Sequence, residues 1–373
     1  MKFRAERQEL AEAVQWVTRT VSSRVTLPAL AGVHLEASDG RLTCRTTDLE
    51  TAAEVSIPAQ IEQPGQALLL GRLLAQLVSK LPDAPVEVQA AVDRVAIRCG
   101  RASFEIRGMP VDDFPTLPVP SEDTPRGAIK AEAFGKLVNQ VARAAAIEDG
   151  RPVLMGVLLD AKDGHLTAAA TDGYRLAVCT IPWDQAVEGK ALVPARALQE
   201  AARAANEAGG AVTLVLEEGQ VSFLYGDRRL TSTLIEGQFP NFNQLLPEGH
   251  ETTVVIERAA LAEALERAAI VAQRQANTPV RLAFADGSVD LTAQNTETGA
   301  TNEPVACHIE GPGLEISFNP GYLLEGLEAT GTDKVRIELR DGLKPAVLKP
   351  HIDGGGDAEL DDFSYLLMPM RVS

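Results

Sequence analysis

The side chains able to do chemistry are thinly spread along this chain, and their spacing matches no catalytic design. Asp48, in Thr46-Thr47-Asp48-Leu49-Glu50, and Asp172, in Ala170-Thr171-Asp172-Gly173-Tyr174-Arg175, stand at matching places in a repeat. Held together, two such carboxylates could divide acid and base duties. Matching positions in separate repeats lie far apart, so hydrogen bonding to the backbone of a turn is the expected role. His34, His165, His250, His308 and His351 are scattered singly, and surface positions are expected of them. Cys44, Cys99, Cys179 and Cys307 are too dispersed for a zinc site, and a chain of this length needs no cross-linked framework. Reduced, mostly buried thiols are predicted. Phosphate-cradling GxxxxGK and GxGxxG frames, HExxH, GxSxG and CxxC are all missing. Gly354-Gly355-Gly356, followed by Asp357, Glu359, Asp361 and Asp362, has no strand-to-helix frame to aim N–H groups at a phosphate. It reads as a solvated acidic loop. Neither a metal nor a cofactor is expected.

Binding is the chemistry that remains. Arg19, Arg72, Lys80, Lys136, Arg143, Arg196, Arg203, Arg267 and Arg274 fall on predicted helices, and Arg24 follows the first of them. Polar faces converging on one space would give a basic strip inside an acidic molecule, and a nearby phosphate responds to that local field. Glutamates share these helices, and the last helix carries Glu325 and Glu328 with no base of its own. The second binding feature is the chain's end, Phe363-Ser364-Tyr365-Leu366-Leu367-Met368-Pro369-Met370-Arg371-Val372-Ser373. Apolar residues so near a terminus either pair into a sheet as an edge strand, the reading the residues alone favour, or line a groove. Methionine suits a groove that accepts varied peptides, and Pro369 argues against a regular central strand.

The elements that would position these residues come in repeats. A shift of 124 residues carries Pro28, Leu30, Gly32, Val33, Leu35, Ala37, Asp39, Gly40, Leu42, Thr43, Thr47 and Asp48 onto identical residues from Pro152 to Asp172. Arg72 falls on Arg196, and Phe114-Pro115 recurs as Phe239-Pro240. A fainter third copy repeats the Asp163-Gly164 turn as Asp286-Gly287 and opens a helix at Asn319-Pro320. The period far exceeds the ~20 to 50 residues of solenoid units, so each copy is a complete domain. Their expected extents are 1–120, 126–247 and 251–373. Phe134, Leu137, Val138, Val141 and Ala145 keep helical spacing, while Val33–Ala37, an Asp39-Gly40 turn and Leu42–Arg45 spell a hairpin. Each copy is therefore α+β, with two helices packed on antiparallel sheet. The proline-rich stretches 114–120 and 239–247 read as ordered linkers.

The 373 residues carry 52 acidic against 35 basic side chains, a net charge of −17, with 45% apolar content. That is too long for one core and too apolar for disorder. No apolar run nears the ~18 residues of a membrane span, and the charged start lacks a signal-peptide core. A soluble cytoplasmic protein, not a membrane one, is expected.

The stretches RVTLPALAGVHLEASDGRLTCRTTDLE, MGVLLDAKDGHLTAAATDGYRLAV, EGQFPNFNQLLP, ISFNPGYLLEGL and YLLMPMRVS, with MKF at the start, resemble the bacterial β sliding clamps, the processivity subunits of DNA polymerase III. The likeness runs from Met1 to Val372. It implies the DNA clamp fold, closed as a ring by a head-to-tail homodimer around double-stranded DNA that is held without regard to sequence. It implies no enzyme activity. Implied partners are the polymerase III catalytic subunit, the clamp loader, and other polymerases and repair proteins, all docking through short linear motifs that carry a glutamine and bulky apolar residues. Matched motif by motif, the peptide pocket would be lined by Leu154, Thr171, Gly173, Tyr174, Arg175, Leu176, Pro240, Leu245, Pro345, Leu366, Met368, Pro369, Met370 and Arg371. Gln244 stands where many relatives have arginine, and Pro345 where serine is common. DNA contact would fall to Arg24, Arg72 and Arg196, with Lys136, Arg143 and Arg203 added by helix face. Subunit closure would set Leu73, Leu77, Phe104 and Ile106 against Ile270 and Val271. The alternative reading is a peptide-binding scaffold that encircles no DNA.

Overall fold

The computed structural model describes residues 1–21, 27–91, 93–148, 150–183, 185, 187–272, 278–295, 299–354 and 362–371. Arg24, Arg274 and most of the acidic loop near Gly355 lie outside them. Six α-helices occur among the described residues: α1 (Arg7–Val17), α2 (Gly71–Lys80), α3 (Ala131–Val141), α4 (Ala195–Ala208), α5 (Arg258–Val271) and α6 (Pro320–Thr330). They fall in pairs, one pair per repeat. In α3 the apolar stripe works as expected, with Phe134, Leu137, Val138 and Val141 all buried. The α-helix stops at Val141, however, and tightens into a 3-10 turn over Ala142–Ala144 before Ala145.

Local chemistry explains the element ends. The Asp-Gly turn recurs three times with both residues in the left-handed region, at φ 49° and 74° for Asp39-Gly40, 51° and 76° for Asp163-Gly164, and 51° and 80° for Asp286-Gly287. This is the turn whose twist suits a tight antiparallel hairpin. Helix α6 begins where the Asn319 side chain accepts from the N–H groups of Gly321 and Tyr322, with Pro320 at its first position, and ends at Gly331 with φ 68°. Gly326 lets that helix lie close on the sheet, since a Cβ there would sit 2.6 Å from the Tyr365 ring.

Among the described residues the strands form sheets of five, eight and twelve, and neighbouring strands pair antiparallel. Helix α1 packs on α2 and on strands Arg41–Thr47 and Thr51–Pro58, and α5 packs on α6 and on Ser288–Asn295 and Gly299–Glu310. The repeats do not keep their sheets to themselves. Thr51–Pro58 of the first pairs with Arg228–Thr233 of the second, and Arg175–Pro182 of the second pairs with Asp362–Leu367 of the third. Accordingly the chain divides into two compact units, Met1–Ala131 with Arg203–Leu234, and Glu132–Ala202 with Ile235–Ser373, which share the second repeat between them.

Two expectations need correction. The terminal apolar segment is not an edge strand: Asp362–Leu367 lies between Arg175–Pro182 and Ala346–His351, and Pro369 ends this central strand instead of preventing it. Nor is His34 a surface residue. It is 6% exposed, because the linker covers the face of the strand that would otherwise meet water, and its ring stacks on Phe114 at 5.0 Å. Burial and the neighbouring Arg45 hold the imidazole below its ordinary pKa and favour the neutral form. Cys44, Cys99 and Cys179 are buried free thiols and Cys307 is half-buried, as expected; burial pushes the Cys44 thiol up to about 12.

Candidate partner-binding site and basic positions

The floor of the candidate pocket is built from the sheet of the second unit. Leu158, Ala169, Leu176, Val178, Leu192 and Leu366 form one buried cluster, and Leu176 lies directly opposite Leu366 in the ladder. Val153, Ile235, Phe239, Phe242 and Leu246 pack against it. The Phe239 and Phe242 rings meet edge to face at 6.4 Å, a spacing of three residues that folds the supposed linker into a hydrophobic cover. Leu158, Val178, Leu192 and these cover residues are not among the positions expected to line the pocket. The paired phenylalanines of Phe239-Pro240-Asn241-Phe242 were the available signal.

Of the positions assigned to the pocket by resemblance, Leu154, Thr171, Leu176 and Leu366 are buried beneath its surface. Tyr174, Leu245 and Met368 stay well exposed, at 63%, 49% and 43%. Gly173, Pro240 and Arg371 are exposed, and Pro345, Pro369 and Met370 are half-buried. The tail is anchored by backbone bonds: the Met368 N–H donates to Tyr174 O at 2.9 Å and the Met370 N–H to Ser317 O at 2.7 Å. Pro369, between them, has no N–H to satisfy.

Arg175 is buried under this surface, and its side chain is an organiser. Its Nε donates to Asp172 Oδ2 at 3.0 Å, one terminal nitrogen reaches Glu325 and the Tyr365 hydroxyl, and the guanidinium lies 4.3 Å from the centre of the Tyr322 ring. Burial works against its charge, but Tyr365 and Glu325 more than offset that, and its pKa is raised. The Tyr365 hydroxyl in turn donates to Tyr322 O at 2.9 Å, and Tyr322 stacks with exposed Tyr174. Asp172 caps its own turn, accepting from the N–H groups of Tyr174 and Arg175 at 2.9 and 3.0 Å. Asp48 does the same for Glu50 and Thr51 at 3.1 and 2.7 Å, so both aspartates hold turns as expected.

The basic positions separate into two groups. Arg72 near the start of α2 and Arg196 near the start of α4 are exposed and make no ion pair among the described residues, and Lys136 of α3 is exposed. Arg143 and Arg203 are engaged within the protein. Arg143 donates to Asn139 O, to Glu325 O and, at 2.9 Å, to Glu328. Arg203 lies 3.4 Å from Glu207, which also takes Arg19 at 2.9 Å. The acidic residues of α6 thus receive bases from elsewhere in the chain, Arg175 for Glu325 and Arg143 for Glu328. Among the described residues no cluster of His, Cys, Asp and Glu is placed to hold a metal, and no helix is long and apolar enough to cross a membrane.

At the positions assigned to subunit closure the apolar side chains are exposed or half-buried. In the first unit Phe104 and Ile106 alternate on Ala102–Arg107, an edge strand of the five-stranded sheet, opposite buried Ile97 and Val95. Leu73 and Leu77 are one turn apart on α2, with Leu73 42% exposed. In the second unit Ile270, in the last turn of α5, is 70% exposed beside half-buried Val271.

Comparison with known proteins agrees along the whole chain. Residues 1–118, 128–241 and 243–371 match the family models of the N-terminal, central and C-terminal domains of the DNA polymerase III beta subunit. A beta sliding clamp of Streptomyces coelicolor is 39% identical over 383 residues, covering 100% of both chains. The sliding clamp of Pseudomonas aeruginosa, solved bound to griselimycin, is similar with a TM-score of 0.91 at 30% identity, and that of Bacillus subtilis with 0.93 at 28%, each over 100% of both chains.

Proposed function

The chain belongs to the DNA polymerase III beta subunit family, the β sliding clamps, and from that premise we propose how its own residues carry the work. Two copies close head to tail into a ring around duplex DNA. The ring holds the replicative polymerase, the clamp loader and other DNA-processing proteins through the pocket of the second unit. It catalyses no reaction and works in the cytoplasm. Contacts to phosphate that ignore base sequence give a moving ring no place to stop. Arg72, Arg196 and Lys136, together with Arg24, supply that attraction, while Arg143 and Arg203 serve chiefly the protein's own ion pairs. Closure buries Leu73, Leu77, Phe104 and Ile106 of one copy against Ile270 and Val271 of the other, a heterologous contact that closes by rotation.

The observation that carries the peptide site is the end of strand Asp362–Leu367. It sets Leu366 into the apolar floor opposite Leu176, then releases Met368 to Arg371 from the sheet beside exposed Tyr174. Apolar anchors seated there would each stabilise binding by ~1.5 to 3 kcal/mol, before the ordering of a flexible peptide is subtracted. Such a site favours exchange among competing partners. Deleting Met368 to Ser373 is expected to abolish binding of a peptide carrying glutamine, leucine and phenylalanine while the dimer persists in light scattering. Normal peptide affinity after the deletion would refute the assignment.

A further inference from the structure

Each compact unit contains one junction where a strand of one repeat pairs with a strand of the next, and the two junctions share a row of side chains. In the second unit the row runs Leu158 opposite Ala169, Ala169 opposite Val178, and Val178 opposite Ser364. In the first it runs His34 opposite Arg45, Arg45 opposite Glu54, and Glu54 opposite Arg229. The repeat offset of 124 carries His34, Arg45 and Glu54 onto Leu158, Ala169 and Val178. Directly opposed residues of antiparallel strands point to one face, so each row is a continuous strip. An equivalent aromatic packs over each strip, Phe239 on the apolar one and Phe114 on the charged one.

The charged strip is closed on itself. Glu54 accepts from Arg229 at 3.1 Å and from Arg45, which also reaches Glu36. A cavity of about 500 Å³ lies beside it, under the segment from Phe114 to Val119. His34 Nδ1 is buried there without a hydrogen-bond partner.

We propose that this row is the specificity element that decides which junction accepts an apolar linear motif: the first junction repeats the strand order and the aromatic cover, with Ala52 opposite Thr231 where the second has Leu176 opposite Leu366, and its ion pairs refuse the ligand. The inference rests on the peptide-binding reading of the second junction. Apolar anchors laid over Arg45, Glu54 and Arg229 would strip water from charged groups and offer no hydrogen bond in return. That cost exceeds what the buried apolar area gives back. Over Leu158, Ala169 and Val178 the same anchors meet no charge. Discrimination therefore comes from a repulsive element as well as an attractive one.

The test titrates a short fluorescein-labelled synthetic peptide, carrying one glutamine followed by leucine and phenylalanine, into three full-length or tail-deleted proteins. The native chain binds it saturably, and the chain lacking Met368 to Ser373 does not. Adding His34→Leu, Arg45→Ala, Glu54→Val and Arg229→Ser to the tail-deleted chain restores saturable binding, which is lost again when the peptide's glutamine, leucine and phenylalanine are replaced by alanine. A folded quadruple variant that binds no peptide overturns the proposal and leaves the second-junction site standing. Failure of the native chain to bind, or undiminished binding after tail deletion, overturns the peptide reading itself. Should the quadruple variant fail to show a cooperative melt, Arg45→Ala with Glu54→Val and Arg229→Ser, which keeps His34 under Phe114 and removes every charge of the row, puts the same question with the same two outcomes.

Discussion

The turns that lead into the two inter-repeat strands begin alike and end differently. Thr47-Asp48-Leu49-Glu50-Thr51 and Thr171-Asp172-Gly173-Tyr174-Arg175 use the same aspartate cap. The next residue is left-handed in both, Leu49 at φ 79° and Gly173 at φ 92°. After that, the first turn supplies Thr51 and the second supplies Arg175, which ties Asp172 and Glu325 together beneath Tyr322. The two turns share their backbone, and the difference lies in side chains: the second carries an arginine that joins two carboxylates, and the first carries a threonine.

The largest effect is expected from making the second turn like the first. Arg175→Thr leaves Asp172, 11% exposed at its side chain, without its partner, and should cost roughly 3 kcal/mol in urea unfolding. Peptide affinity should fall in parallel as Tyr322 loses its support. A change below about 0.5 kcal/mol, within the range of ordinary surface substitutions, would show that Arg175 does not organise the site.

Exchanging the left-handed residues should give smaller shifts. Gly173→Leu forces a side chain into a left-handed position where even a Cβ lies 3.2 Å from the Arg151 guanidinium, and about 1 to 2 kcal/mol should be lost. Leu49→Gly relieves strain but frees the unfolded chain, so a change of a few tenths of a kcal/mol is expected. Equal and opposite shifts in paired thermal melts would mean that the two turns are interchangeable.

The smallest effect concerns acid. His34 is held neutral by burial and by Arg45, so its folded pKa lies below the ordinary 6.5. The stability it contributes is complete above that ordinary value and declines as pH falls toward the folded pKa, because the unfolded chain takes up the proton first. No such titrating group stands at Leu158. His34→Phe should flatten the fall in stability on the acid side; an unchanged pH profile would assign that fall to other groups.

Much of this is legible in the sequence. The repeat, the Asp-Gly turns and the amphipathic helices are set by short-range rules, and the structure follows them at Asp39-Gly40, at Phe134 to Val141 and at Asn319-Pro320. What was hidden depends on partners distant in sequence. Nothing near Glu325 or Glu328 announces that Arg175 and Arg143 neutralise them. The strand alternation around His34 does not say that Phe114 will cover its outer face. The tail looked like an edge because its two neighbours, Arg175–Pro182 and Ala346–His351, come from different repeats.

Enclosure of DNA is the central claim, and one measurement meets it directly. The protein is assembled on nicked circular duplex with a clamp loader, freed of the loader, held in salt high enough to suppress phosphate attraction, and the circle is then cut with a restriction enzyme. A ring stays on the circle and is released as soon as ends are made. Equal retention on cut and uncut DNA, or loss from both as salt rises, would contradict the account.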